Sequence, residues 1–145
     1  MKGAHPSDQG GIRRRRALLL GTACLVGGVD LGYKAAVSAP YHHLRSVGVV
    51  ALAAMVIVAL AALVPRLPSL AAALGAGLAA GGALGNLVSV LAWSEGVPDP
   101  LVIEGAKYAI AFNLADVFAL SGDALLVSAA VLYGLRNRPR LRDPV

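Results

Sequence analysis

The chain has 145 residues, of which 57% belong to the apolar set and only 14% are charged, with a formal net charge of +5. A soluble domain carries about 25% charged residues, and a mean hydropathy of +0.70 is more apolar surface than a small globule can hide or a disordered chain contain. The positive charge gathers in two terminal clusters, Arg13–Arg16 and Arg136 to Arg142, rather than along a face. That excludes a nucleic-acid partner and leaves a polytopic membrane protein.

Four apolar stretches are predicted as spans: Ala17–Ser38, Ser46–Val64, Pro68–Trp93 and Lys107–Gly134. Each reaches the roughly 20 residues that cross a bilayer as a helix. Before the first, Arg13–Arg16 followed by Ala17-Leu18-Leu19-Leu20 has the outline of a signal peptide, and Gly21-Thr22-Ala23-Cys24 the outline of a lipobox. Gly21 stands where such a box wants Leu or Val, so the cluster reads as a retained start-of-span signal. Cys24 is the only cysteine; it forms no intrachain disulfide and is expected to pack as a small apolar residue. Between spans two and three, Pro65-Arg66-Leu67-Pro68 breaks the apolar run. Span three carries Gly77, Gly81 and Gly85 at four-residue spacing, a face that admits a close neighbour helix, within the bundle rather than in a homodimer. Short loops make the helices antiparallel neighbours.

Orientation follows from the basic residues. With four spans, both termini and the Arg66 turn share one side. That side holds Lys2, Arg13, Arg14, Arg15, Arg16, Arg66, Arg136, Arg138, Arg140 and Arg142, against Lys34, Arg45 and Lys107 on the other. The prediction is therefore an all-α, four-transmembrane-helix antiparallel bundle, N-in and C-in. Residues 1–16 and 135–145 form cytoplasmic basic tails, 17–134 the transmembrane domain, and 39–45 and 94–106 the outer loops.

Charges inside spans are costly and face a bundle interior or a water-filled cavity. Here they are Asp30 and Lys34 in span one, and Asp116 and Asp123 in span four, with Asn86 and Asn113 as polar additions and Asp99 in the second outer loop. At 1.5 Å per residue, Asp30, Asn86 and Asp116 lie about 12, 10 and 14 Å below the outer ends of their predicted spans, in one layer of the outer leaflet. Asp30 and Lys34 pair at i, i+4. Phe112, Asn113 and Asp116 share a face of a helix that starts at Lys107, and Asp99 folds down over the layer from the adjoining loop. Two close carboxylates cannot both ionise, so one keeps a proton while the other takes one from water. On spacing alone, catalysis, a transporter's proton relay and purely structural packing all remain open.

The motifs are similar to those of one family. Phe112-Asn113-Leu114-Ala115-Asp116, with Gly122 six residues on, resembles the FNxAD…G motif of lipoprotein signal peptidase (signal peptidase II), an intramembrane aspartic peptidase. Gly81-Gly82-Ala83-Leu84-Gly85-Asn86 resembles its GGAxGN motif, Val97-Pro98-Asp99 its VxDF motif, and Asp30 with Lys34 the ends of its DQxxK motif. The resemblance implies Asp99 and Asp116 as the catalytic pair, with Asn113, Asn86, Asp30 and Lys34 as substrate-binding or supporting residues. It implies a diacylglyceryl-modified prolipoprotein as substrate, cut just before the lipidated cysteine, in the bacterial plasma membrane with the site near the outer leaflet. It implies no metal and no organic cofactor. Beyond the substrate, the partners are membrane lipids. A non-catalytic lipopeptide-binding homologue and a small proton-coupled transporter subunit are the alternative functions.

The chain also departs from the family pattern. Leu31 stands for the Gln of DQxxK, Ser89-Val90 for the Asp-Arg after GNxx, and Pro100 for the Phe of VxDF. The first outer loop, long and β-structured in the family, shrinks to about seven residues, Ala39–Arg45, and is expected to leave no room for a β-sheet. His42-His43 with Glu95 is a weak metal pattern, better read as an interfacial loop. Trp93 and Tyr108 are expected as interface anchors, and Asp123 as an interhelical hydrogen-bonding residue.

Overall fold

The computed structural model describes residues 6–142, with side chains described for residues 9–137. Lys2, residues 143–145 and the side chains of Arg138, Arg140 and Arg142 fall outside the described residues. In order, the elements are α1 (Pro6–Ala36), β1 (Tyr41–His43), α2 (Val47–Leu63), one 3-10 turn (Val64–Arg66), α3 (Leu70–Ala92), β2 (Val97–Asp99), β3 (Leu101–Glu104), β4 (Ala109–Phe112) and α4 (Leu114–Arg142). All four helices are long and apolar enough to cross a membrane.

The helix ends are written locally. Ser46 caps α2, its Oγ accepting from Val49 N, and Ser69 caps α3, accepting from Ala72 N at 3.1 Å. Each supplies an acceptor to a backbone N–H that the helix itself leaves open. Between them, Pro65 and Pro68 stop α2 and delay α3. Arg66 Nη1 donates to Ala62 O at 2.6 Å, and Arg15 Nε, reaching across from α1, donates to Pro65 O at 2.8 Å. The basic cluster before the first span thus also pins the α2–α3 turn.

Helix α3 lies between α1 and α4 and packs closely on both. Its composition explains why. A Cβ at Gly77 would sit 2.8 Å from Leu19 O, so α1 runs against bare backbone there. On the opposite face a Cβ at Gly82 would collide with the backbone of Ala115 and Ala119 in α4. Small residues at such crossings let helices gain van der Waals contact where lipid offers no hydrophobic drive for association. The predicted glycine face therefore serves packing within the chain. Leu19, Val64, Ala72, Ala76 and Ala129 form the buried apolar cluster between these elements. Helix α2 differs, since none of its residues is buried.

Two small antiparallel sheets correct the all-α expectation. β1 pairs with β2, with Tyr41 opposite Asp99 and His43 opposite Val97. β3 and β4 form a hairpin, with Leu101 opposite Phe112 and Glu104 opposite Ala109. The seven-residue segment 39–45 has room for a strand because its partner comes from segment 94–106, with His42 opposite Pro98, 56 residues further along. Gly96, at φ +108°, makes this possible: a Cβ there would lie 2.7 Å from His43 O. The start of span four also moves. Ala109–Phe112 are apolar and continue the following helix by composition, but they pair with β3, and α4 begins only at Leu114. Tyr108 consequently sits at the exposed hairpin turn rather than at a helix start.

Candidate active site

The site assembles where the C-terminal halves of α1 and α3 meet the N-terminus of α4. Asp30 and Lys34 are one turn apart on α1, and their side chains are fully buried. Lys34 Nζ has three donors and three partners: Asp30 Oδ2 at 2.7 Å, Asn86 Oδ1 at 2.9 Å and Ser89 Oγ at 3.1 Å. Ser89 Oγ in turn donates to Gly85 O at 2.7 Å. With its oxygen held by the ammonium, the Asn86 amide turns its Nδ2 to Asp116 Oδ1, 2.9 Å away. Gly85 allows Asp30 this close to α3, since a Cβ there would lie 2.6 Å from Asp30 Oδ2. The other Asp30 oxygen accepts from Ala115 N at 2.8 Å. A carboxylate on α1 thus satisfies an open N–H at the positive end of α4.

Asn113 and Asp116 close the arrangement. Asn113 Oδ1 accepts from Asp116 N at 3.1 Å, and Asp116 Oδ2 accepts from Asn113 N at 3.2 Å. This is a reciprocal capping box built from Asn and Asp. Asn113 Nδ2, still free to donate, meets Asp99 Oδ1 at 2.6 Å. The remaining Asp99 oxygen, Oδ2, is bonded to His43 Nδ1 across the β1–β2 pair. Asp99 is 1% exposed and Asn113 fully buried. One residue, Asn113, therefore holds both acids, one through its amide and the other through its backbone.

The two acids differ in surroundings. Asp116 is half-buried and, with Asn86, lines a cleft of about 230 Å³ between α2 and α3. Val49 and Ala53 of α2 and Leu87 and Val90 of α3 give it apolar sides, and Arg45, just before α2, joins its lining. Asp99 lies behind Asn113 and His43 and is not part of that lining. A carboxylate that reaches a cleft can exchange protons with a group in the cleft, and Asn113 ties it to a buried second carboxylate, its backbone N–H on one acid and its side-chain amide on the other.

All six residues singled out from the sequence, Asp30, Lys34, Asn86, Asp99, Asn113 and Asp116, join this one network. The reason differs from the depth estimate. Because α4 starts at Leu114, Asp116 is in its first turn rather than about 14 Å down a longer span; Asn86 bonds it there, and Asp30 bonds the neighbouring Ala115 N. Phe112 ends β4 and does not share a helix face with Asp116. Asp123 is exposed on α4 and makes no hydrogen bond among the described residues, so the expected interhelical bond is not formed. Cys24 is likewise exposed rather than packed. His42 Nε2 lies 3.7 Å from Glu95 Oε2, and among the described residues no three His, Cys, Asp or Glu side chains are grouped to hold a metal ion.

Two members of the network were not singled out. By its place in the family pattern Ser89 is only a missing Asp, yet its hydroxyl is the third acceptor for Lys34. His43 lies in a stretch with the sequence of a loop, and nothing local announces its contact with a residue 56 positions away. The capping box was open to detection, since Asn-x-x-Asp before an apolar run is a helix-start pattern.

Comparisons with curated proteins and with solved structures give no match. The family model for signal peptidase (SPase) II matches residues 20–132, a stretch that holds every residue of the network from Asp30 to Asp116. The chain belongs to the signal peptidase II family.

Proposed function

We propose that the protein is an intramembrane aspartic endopeptidase that removes signal peptides from lipid-modified prolipoproteins, cutting before the diacylglyceryl cysteine. The family processes lipoprotein signal peptides and implies an aspartic protease. The observation that carries the reading is Asn113, which bonds both Asp99 and Asp116 while Asp116 opens on the cleft. In an aspartic dyad the two carboxylates share one proton. The ionised carboxylate takes a proton from water as the water oxygen attacks the scissile carbonyl carbon. The carboxylic acid gives its proton to the carbonyl oxygen. The tetrahedral diol then collapses: one hydroxyl gives its proton to the ionised carboxylate, the C–N bond breaks, and the amine leaves with the proton held by the other carboxyl. The apolar sides of the cleft suit a peptide that arrives within the bilayer with its acyl chains still in lipid. In the proposed orientation both termini are cytoplasmic and the site faces the outer leaflet.

The test is cleavage of a diacylglyceryl prolipoprotein by the purified chain in detergent or vesicles. Asp99→Asn and Asp116→Asn should each lower the rate by at least about 100-fold. Wild-type rates in either variant would overturn the dyad. Binding of lipopeptide without any cleavage by the wild-type chain would overturn the peptidase reading.

A further inference from the structure

We infer that His43 is a positioning residue for Asp99, an imidazole added to the two-carboxylate site by the short strand β1; the inference rests on the peptidase reading of that site. The geometry leaves little else for the role. Asp99 is 1% exposed, and a buried carboxylate oxygen without a donor is costly. Its Oδ1 has Asn113 Nδ2. Asn113 cannot serve both oxygens, because its own orientation is fixed by the bond from Asp116 N to its Oδ1. Its Nδ2 already reaches towards Pro98 O at 3.4 Å as well. The Oδ2 atom is left to His43 Nδ1.

The strand register explains why this histidine reaches. His43 pairs with Val97, and Asp99 is two residues further along the same face of β2, the diagonal neighbour in an antiparallel pair. Nδ1, close to the main chain, suits this short diagonal reach. The nearby charged groups are engaged elsewhere: His42 points to Glu95, Arg45 lines the cleft, and Lys34 has its three acceptors. The imidazole is 55% exposed, so the contact links a buried acid to the outer surface. With Asp99 accepting, Nδ1 carries the proton, and which ring nitrogen is protonated follows from that bond. Two donors, from β1 and from the α4 cap, then hold the carboxylate plane from both ends.

Cleavage rates of three His43 variants, and the ring spectrum with and without Asp99, test this. His43→Ala should lower kcat by about 10–100-fold, the scale of a misplaced reacting group, with KM little changed. His43→Asn, whose amide nitrogen falls near the Nδ1 position, should recover most of the loss. His43→Gln, whose amide reaches the Nε2 position instead, should not. The ring 15N spectrum of wild-type protein should show Nδ1 protonated, and Asp99→Ala should release the ring to the Nε2–H form. Equal rates in wild type and His43→Ala, or equal rates in the Asn and Gln variants, would overturn the inference while leaving the peptidase reading intact. If the wild-type chain cleaves nothing, the peptidase reading falls, and the ring spectrum by itself decides whether His43 holds Asp99: an unchanged spectrum in Asp99→Ala overturns it.

Discussion

Lys34 and Asn113 each hold several partners in place, and their substitutions separate stability from chemistry. Lys34→Met would leave the fully buried Asp30 carboxylate without its counter-charge, a change worth about 3–5 kcal/mol. Combined with Asp30→Asn it should cost less than the sum of the two single changes, a coupling that unfolding of the four proteins in mild detergent would measure. Asn113 has two separable jobs. Ser caps a helix about as well as Asn, whereas Ala costs about 1 kcal/mol. Asn113→Ser should therefore keep the cap that Asn113→Ala loses, while both changes take the donor from the buried Asp99 Oδ1. Under the peptidase reading both variants should cleave poorly; both should melt below wild type, the alanine variant lower by about the 1 kcal/mol of the cap.

Among the elements, α3 tolerates least and α2 most. Gly82→Val would force branched carbons into the α4 backbone at Ala115 and Ala119, an overpacking cost of about 1–3 kcal/mol. Leu52→Val on α2, at a side chain 55% exposed, should stay within about 0.5 kcal/mol. Thermal unfolding of the pair in one detergent checks the contrast. The same difference governs what could be read in advance. The helices were legible because length and apolarity suffice to identify a span, and the glycine face because its spacing is helical. The β3–β4 hairpin was not. Ala109-Ile110-Ala111-Phe112 is a short apolar run, and such a run reads as helix or strand equally well until its partner is known. The site was legible as a list of acids and amides but not as a circuit. Asp30 bonds the backbone of Ala115, 85 residues on, and His43 bonds Asp99, 56 residues on; local pattern carries no trace of either.

For the molecule as a whole, orientation is the property that most needs a measurement. The proposed orientation, termini and Arg66 turn inside, rests on ten basic residues against three. With Cys24→Ser as background, a membrane-impermeant thiol reagent applied to intact cells should label Ala106→Cys at the hairpin turn and leave Gln9→Cys unlabelled until the membrane is opened. Labelling in the reverse order would invert the proposed topology and put the acids on the cytoplasmic side.

The lack of any buried residue in α2 has a mechanical meaning. In water, parting this helix from α3 would expose apolar surface and meet steep resistance. In a bilayer the acyl chains that enter the gap are as apolar as the side chains they replace, so only contact and lipid packing oppose the motion. The wall of the cleft beside Asp116 is thus a soft boundary whose position the surrounding lipid helps to set. The rigid framework is elsewhere, in the glycine-lined seams of α3 with α1 and α4. Under the peptidase reading, that division would let the acids stay fixed while the opening beside them adapts to the width of a peptide.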